Sequence, residues 1–228
     1  MGGQGAWLSW SSGKDSAWAL HEVRRNGSVE IAALFTTITE PFERVSMHGV
    51  RVSLLEAQAA SVGLPLVKVP IPFPCSNEQY ATRMKTAMER ALSEGISAMI
   101  FGDLFLEDVR RYREENLHPL GMQALFPLWG LETKQLAERM IDAGLHAIVT
   151  CLDPRKVPRE LAGRHFDRSF LASLPPGVDP CAERGEFHTM AIAGPMFSHP
   201  IPVAIGETVE RDGFVFTDVT PKASLPHR

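Results

Sequence analysis

A turn of small residues between the first predicted strand and the first predicted helix constrains this chain most. The apolar run at 6–10 ends in Ser11-Ser12-Gly13-Lys14-Asp15-Ser16, and a helical pattern follows over 17–26. Small residues let the backbone turn tightly and direct its N–H groups toward an anion. Lys14 adds a positive charge, and the serines add hydroxyl donors. The turn therefore predicts a phosphate site, with the rest of the chain arranged around a nucleotide.

The first half of the chain alternates between strand and helix periods. Strand-like runs lie at 29–35, 64–69 and 98–101, and helical patterns at about 50–62 and 77–93 separate them. Ser76 is a predicted N-cap of the second of these helices, and Gly95 is its predicted stop. This alternation with short connections predicts the α/β class, with a doubly wound parallel sheet covered by helices on both faces.

Three polar segments come directly after predicted strands of this sheet. They are the turn 11–16, Thr36-Thr37 and Gly102-Asp103. In parallel sheets, ligands bind beyond the carboxyl ends of the strands, near a topological switch point. We therefore expect the three segments to converge on one edge of the sheet.

The second half of the chain changes in character. A charged helix at 107–117, a helix at about 132–143 and a strand at 146–151 precede a proline-rich stretch with predicted strands near 187–193, 201–209 and 213–219. We place a boundary near Gly130. It divides a nucleotide domain at 1–130 from a smaller α/β, substrate-binding portion at 131–228.

Composition excludes several classes of protein. A net charge of −4 argues against a broad nucleic-acid surface. The three cysteines are far apart and form no C-x-x-C, which argues against a disulfide framework or a structural zinc site. No apolar stretch reaches the roughly 20 residues that cross a bilayer, and the first residues lack signal-peptide features, so we expect a cytoplasmic protein without membrane contact. The predicted strands after Pro195 offer an interface, and a homodimer is therefore left open.

The turn resembles a known phosphate-binding loop. A Walker A motif is absent, because Leu8 stands where its first glycine belongs and Asp15 follows Lys14. Ser-Ser-Gly-Lys-Asp-Ser instead resembles the Ser-Gly-Gly-Lys-Asp-Ser PP-loop of the ATP pyrophosphatase (adenine nucleotide alpha hydrolase-like) superfamily. Ser12 replaces the first glycine. If that position needs a positive φ, serine is strained there by about 1 kcal/mol or more.

A second signature narrows the resemblance. Residues 179–189 read Asp-Pro-Cys-Ala-Glu-Arg-Gly-Glu-Phe-His-Thr, which is similar to the Glu-x-Gly-Glu-Phe-His/Glu-Thr segment of diphthine–ammonia ligases. Gly102-Asp103-Leu104 and the Phe-Pro-Leu-Trp at 126–129 resemble segments of that family in the same order. The resemblance extends from residue 8 to about residue 200. It implies the Rossmann-like fold of the superfamily.

The resemblance implies an activity. A carboxylate would attack the α-phosphorus of ATP with Mg²⁺ present, pyrophosphate would leave, and ammonia would displace AMP to form an amide. The implied acceptor is a modified histidine (diphthine) of elongation factor two; in a bacterial source a small-molecule carboxylate replaces it. The alternatives are a pyrophosphatase of the same superfamily acting on another small molecule or on tRNA, and a sensor that binds ATP without turnover.

The same resemblance places roles on individual residues. Ser11, Ser12, Gly13, Lys14, Asp15 and Ser16 would hold the phosphates, and Asp15 and Asp103 would hold Mg²⁺, an ion that prefers oxygen ligands. For Asp15, a carboxylate that interacts with the helix dipole is an equal alternative. For Asp103, the alternative is a structural turn.

Other residues are expected around the nucleotide. They are Thr36, Met47, His48, Gly102, Arg110 and Arg113. Arg110 and Arg113 lie one helical turn apart and would clamp an anion, but a solvated helix face with ion pairs is an equal interpretation. Thr36 is equally an ordinary strand residue.

Two acids in the second half complete the predicted catalytic set, which is Lys14, Asp103, Glu183 and Glu186. Either glutamate would orient ammonia or accept a proton from ammonium. The alternative is a charged turn without a chemical role. His188 is either an orienting residue or a satisfied strand histidine. We do not expect a catalytic thiol at Cys181, because only Arg184 nearby would lower its pKa.

Overall fold

The computed structural model describes residues 5–45 and 48–222. Met47, a predicted nucleotide-site residue, lies outside the described residues. The strands are β1 Gly5–Ser9, β2 Glu30–Thr39, β3 Arg44–Val45, β4 Leu66–Ile71, β5 Ile96–Ile100, β6 Gln123–Leu125, β7 His146–Leu152, β8 Phe187–Ala193, β9 Val203–Arg211 and β10 Phe214–Pro221. The helices are α1 Lys14–Asn26, α2 Val52–Val62, α3 Asn77–Ser93, α4 Glu107–Leu117, α5 Thr133–Asp142 and α6 Arg168–Ser173.

The N-terminal sheet is the parallel sheet that the alternation predicts. β1 lies between β2 and β5, β4 extends the sheet beyond β2, and β6 extends it beyond β5, all in parallel. The short β3 pairs with the end of β2 in the antiparallel sense. Because side chains alternate along a strand, Leu8 packs with α1 and α2 on one face, while Trp7 packs with α3 and α4 on the other. The α/β class with helices on both faces is confirmed.

The helix ends follow local signals. Ser76 caps α3 as predicted, since its hydroxyl accepts from Gln79 N at 3.1 Å while Gln79 Oε1 accepts from Ser76 N at 2.9 Å. Gly95, with φ of 79°, follows α3 and takes the left-handed conformation that glycine tolerates. α1 begins at Lys14, three residues before the predicted start, because the turn itself enters the helix.

The predicted end of β2 at Thr36-Thr37 is wrong. The strand continues to Thr39, because β4 pairs with it as far as Ile71 and gives the additional backbone groups hydrogen-bond partners. Thr36 is therefore a buried residue inside β2 and does not lie at its carboxyl end.

The strands predicted in the second half form a separate antiparallel sheet in the order β8-β7-β10-β9. β8 has the predicted bounds, and β9 and β10 begin slightly later than predicted. One apolar core runs from the N-terminal sheet into this second sheet and includes both Leu8 and Val149. The two sheets therefore share their packing, which holds β8 against the N-terminal turn. Among the described helices, none has the length and apolarity to span a bilayer.

Candidate active site

A cavity of about 270 Å³ lies at the carboxyl ends of β1 and β5. One part of its lining comes from Ser11, Lys14, Asp15 and Ser16 of the N-terminal turn (residues 11–16), and another is Phe101, Gly102 and Asp103 after β5. Ser12 and Gly13, which are also predicted to hold the phosphates, are not part of the lining. The rest comes from His48, Arg113 of α4 and residues between 181 and 189. Two of the three segments predicted to converge, the N-terminal turn and Gly102-Asp103, therefore do meet.

Ser12 takes the backbone conformation that glycine would favour. Its φ is 71°, so the strain anticipated for a serine at this position applies, at about 1 kcal/mol or more. The residue is fully buried, and its hydroxyl oxygen has no hydrogen-bond partner among the described residues. Ser12 O accepts from Ala191 N at 2.9 Å, which attaches the turn to β8.

Two glycines make the cavity edge compact. A Cβ on Gly13 would lie 3.2 Å from both the His48 ring and Thr189 O. A Cβ on Gly102 would lie 2.9 Å from the carbonyl carbon of Asp15 and 3.0 Å from its oxygen. Because these Gly102 contacts are with backbone, they cannot be relieved by a change of rotamer. Gly102 is thus required for the close approach of the strand end to α1.

The Lys14 side chain joins the turn to the second half of the chain. Its ammonium group donates to Asp15 Oδ2 at 2.9 Å and to the carbonyl oxygen of Cys181, and it lies 5.5 Å from the ring centres of Phe166 and Phe187. Burial opposes its charge, but the Asp15 carboxylate and neighbouring groups outweigh that effect and raise the pKa of Lys14. The lysine therefore stays positively charged at the cavity wall.

Asp15 brings an uncompensated oxygen to the cavity. One carboxylate oxygen binds Lys14, whereas Oδ1 is buried and has no hydrogen-bond partner within residues 5–45 and 48–222. Burial raises the pKa of Asp15, although the Lys14 charge opposes the shift. This carboxylate oxygen could serve as a cation ligand, while the other oxygen of Asp15 keeps its structural pair with Lys14.

Asp103 and Arg113 form a bidentate ion pair at the cavity. Arg113 donates Nε to Asp103 Oδ2 at 2.6 Å and Nη2 to Oδ1 at 3.1 Å. The guanidinium group also lies 4.3 Å from the ring centre of Phe101. Each Asp103 oxygen thus accepts from the guanidinium group and keeps a second lone pair, so the predicted metal-binding role of Asp103 stays a prediction.

The acidic segment (residues 179–186) is held by its own carboxylates. Asp179 accepts from Glu183 N at 2.7 Å and from Cys181 N at 3.3 Å, which closes a turn. Glu183 Oε1 accepts from Leu104 N at 2.8 Å. Burial, together with the charges of nearby acids, raises the pKa of Glu183 to about 7, although the Leu104 N–H opposes the shift. Glu183 is therefore an acid in the cavity that can exchange a proton near neutral pH.

Two histidines pack together at the cavity, with ring centres 4.6 Å apart. Burial and the Lys14 charge lower the pKa of His188 to about 4. Burial, with smaller contributions from His188 and Lys14, lowers the pKa of His48 well below its usual value. Both rings are therefore neutral at pH 7, which limits the positive charge at this wall to Lys14 and Arg113.

Some predicted site residues lie away from this lining. Arg110 instead contacts Glu114 at 2.8 Å and lies 4.7 Å from the ring centre of Trp129, so the structure brings Arg113 but not Arg110 to the cavity. Glu186 is buried behind the lining. Thr36 is inside β2 for the reason given above. The Cys181 thiol donates to Thr133 O, and burial raises its pKa, so it is not a poised nucleophile.

Sequence reasoning missed two residues that support the site, Gln58 and Asp179. Gln58 of α2 is fully buried and binds the N-terminal turn, and Asp179 organises the acidic segment. An isolated glutamine on the apolar face of a predicted helix was the available signal for Gln58. For Asp179, it was an Asp-Pro that stands two residues before the Glu-x-Gly-Glu motif.

Comparison with known families gives one match in each half of the chain. A model described as the diphthamide synthase N-terminal domain matches residues 5–124, and one described as the diphthamide synthase C-terminal domain matches residues 132–219. The chain belongs to the diphthamide synthase family. The N-terminal turn and Arg113 fall in the first match, whereas the acidic segment falls in the second. Segments from both matches therefore line the cavity of this family member.

Curated relatives carry one name, diphthine--ammonia ligase. The rat protein is 30% identical over 142 residues, which cover 60% of this chain and 52% of that protein. The bovine protein is 31% identical over 146 residues, with the same coverage of both chains. The human protein is 30% identical over 146 residues. The chain spans about half the length of the curated relatives it matches.

Proposed function

We propose that this protein is an ATP-dependent ligase that joins ammonia to a carboxylate in diphthamide synthesis. The observation that carries the proposal is the cavity at the start of α1, where the N-terminal turn meets the acidic segment. The name of its relatives, diphthine--ammonia ligase, indicates the substrates. Membership of the diphthamide synthase family indicates the pathway.

The N-terminal turn is suited to the phosphates of ATP. Gly13 is the N-cap of α1, and Lys14 N donates to Thr189 Oγ1. Lys14, Asp15 and Ser16 at the positive end of the helix dipole all line the cavity, and this end of a helix favours an anion. Lys14 and Arg113 add the positive charge that a polyanion needs. This arrangement favours negative charge that develops on departing pyrophosphate.

The cavity supplies one candidate protein ligand for Mg²⁺, the carboxylate of Asp15. Among the described residues, Asp15 Oδ1 and Glu186 Oε2 are buried carboxylate oxygens without a hydrogen-bond partner, and only Asp15 lines the cavity. Mg²⁺ in phosphate-transfer sites is commonly held by one or two carboxylates together with substrate phosphates. In the described part of the chain, no group of three or more metal-ligating side chains converges. When bound, the ion would neutralise phosphate charge. Asp15 would hold it, and Asp103 stays engaged with Arg113.

Glu183 is suited to the second half of the reaction. The acceptor carboxylate forms a bond to the α-phosphorus of ATP, and pyrophosphate leaves. Ammonia then attacks the acyl carbon, an amide forms, and AMP leaves with the bonding electrons of the acyl–oxygen bond. With a pKa of about 7, Glu183 takes a proton from ammonium and produces the neutral nucleophile.

The proposal also concerns the identity of the acceptor carboxylate. The family favours the diphthine residue of elongation factor two, and a small-molecule carboxylate is the competing acceptor. Incubation of the protein with ATP, Mg²⁺, ammonium and each acceptor, followed by nucleotide chromatography, tests both. We expect AMP and an amide with one acceptor. Release of ADP would contradict the proposed chemistry, and tight ATP binding without AMP under every condition would favour a sensor.

A further inference from the structure

We propose that Gln58 is a positioning residue for the N-terminal turn: it holds Ser12 in the left-handed conformation from which the turn binds nucleotide. The proposal rests on the function proposed above. Gln58 lies on α2, away from the cavity lining, and is fully buried.

The amide of Gln58 has partners that fix its orientation. Oε1 accepts from the indole N–H of Trp10 at 2.9 Å. Nε2 donates to Ser12 O at 3.0 Å and to Ala191 O at 2.6 Å. Because an indole only donates and a carbonyl only accepts, rotating the amide by 180° would break all of these bonds. Gln58 therefore connects the end of β1, the N-terminal turn and β8 in one defined geometry.

Ser12 is the residue that needs such support. Its φ of 71° is unfavourable for a residue with a Cβ, and its own hydroxyl makes no compensating hydrogen bond in the part of the chain that the structure describes. Its carbonyl oxygen accepts from both Gln58 Nε2 and Ala191 N. These two bonds fix the peptide group after Ser12, and with it the start of α1. A glycine at position 12 would hold the same conformation without that support.

This reasoning predicts a specific coupling between positions 12 and 58. Gln58→Met keeps the volume of the side chain but removes both donations and the acceptor for the Trp10 indole N–H. Only Ala191 N then holds the Ser12 carbonyl oxygen, and we expect Ser12 to relax to a negative φ. Nucleotide binding must then restore the strained turn, so we expect the Kd for ATP to rise about tenfold, equivalent to ~1.4 kcal/mol. In Gln58→Met/Ser12→Gly, glycine adopts the positive φ without strain, so the turn keeps its conformation. We therefore expect the Kd for ATP of this double variant to lie within about threefold of that of Ser12→Gly.

A matched control lies one helical turn away. Ser61 is also buried on α2, and its hydroxyl donates to His199 O at 2.6 Å and accepts from His199 N at 3.2 Å. Ser61→Ala thus removes two hydrogen bonds to the C-terminal half without touching the N-terminal turn. We expect this variant to lose stability to urea but to keep the ATP affinity of the wild type within about twofold. Equal loss of affinity in Ser61→Ala and Gln58→Met would overturn the proposal.

Hydrogen exchange gives a second readout that needs no nucleotide. Lys14 N donates to Thr189 Oγ1 at 3.1 Å, and Ala17 N donates to Gly13 O at 3.1 Å. We expect both amides to exchange about tenfold faster in Gln58→Met and at the wild-type rate when Ser12→Gly is added. Unchanged exchange in Gln58→Met, or no recovery in the double variant, overturns the positioning role even if the protein binds ATP. Failure of the wild type to bind ATP, with the exchange pattern as expected, would instead overturn the proposed function alone.

Discussion

The N-terminal turn and the acidic segment line the same cavity, but different forces hold them in place. The turn is held through its backbone: Ser12 O has two donors, and Gly102 leaves no room for a Cβ against Asp15. The acidic segment is held through side-chain carboxylates, because Asp179 and Glu183 accept from backbone N–H groups. We therefore expect the turn to respond to added volume or backbone freedom, and the acidic segment to respond to charge and pH.

The largest expected effect tests whether the acidic segment responds to a change of charge. Glu183→Gln keeps the Oε1 acceptor for Leu104 N but removes the titrating group, so turnover at pH 8 should fall about 300-fold if the carboxylate accepts the ammonium proton. The wild-type rate should rise through pH 7, and that rise should be absent in the variant. Steady-state AMP formation from pH 5.5 to 9 measures both.

Glu186→Gln is the matched control, since Glu186 belongs to the same segment but does not line the cavity. We expect its rate to stay within about threefold of the wild-type rate, because a proton acceptor must lie within hydrogen-bond reach of its donor. Equal losses in both variants would show that the segment acts as a structural unit and would contradict the role assigned to Glu183.

The next largest effect tests whether the N-terminal turn responds to added volume. Gly102→Ala places a Cβ 2.9 Å from the Asp15 carbonyl carbon, so the start of α1 must move. Displacement of a site by about 1 Å costs roughly a hundredfold in rate, and we expect that loss in kcat/KM. Gly121→Ala is the control: its φ is 70°, unlike that of Gly102, but no described atom lies within 4 Å of the added Cβ. It should lose about 1 kcal/mol of stability and retain its rate.

Lys14 connects the N-terminal turn to the acidic segment, and its substitution should remove this connection. Lys14→Met keeps most of the apolar stem between Phe166 and Phe187 but removes the charge beside Asp15. We expect kcat/KM to fall roughly 30-fold, equivalent to about 2 kcal/mol, the range for a hydrogen bond to a charged group. Lys68→Met, which removes an exposed ion pair with Glu56, controls for net charge. Undiminished ATP affinity and turnover in Lys14→Met would contradict its role.

A smaller effect concerns stability as a function of pH. The pKa of Glu183 is about 7 when folded, against 4.5 for an unperturbed glutamate, so the folded state binds this proton more tightly than the unfolded state. This contribution to stability is therefore complete below pH 4.5 and is lost as the pH rises through 7. Allowing for solvent screening, we expect a loss of about 1–2 kcal/mol. Urea unfolding at pH 5 and pH 8 should show this loss in the wild type and not in Glu183→Gln.

The smallest expected effect is a gain. Ser12→Gly relieves the strain of a positive φ and removes a buried hydroxyl without a partner, against the greater entropy of glycine in the unfolded chain. We expect a net stabilisation of about 1 kcal/mol, measured by urea unfolding at pH 7. Destabilisation would indicate that the Ser12 hydroxyl has a partner in solution.

Much of the fold was predictable because its signals are local. The strand, turn and helix at the N-terminus, the Ser76 cap and the bounds of β8 all follow from periodicities and capping patterns a few residues long. The site was predictable only in part. Arg113 and Glu183 do line the cavity, but Arg110, Thr36 and Glu186 do not, and no pattern along the chain separates the two sets.

The sequence by itself determined a parallel α/β sheet, a tight turn before α1 and a serine in a position suited to glycine. Only the tertiary structure decided what those residues contact. Lys14 binds Cys181 across 167 residues, and Gln58 binds Ala191 across 133 residues. The reason is physical: backbone conformation depends on a few neighbouring residues, whereas a buried ammonium or amide takes whichever partners the packing of the two sheets brings within reach.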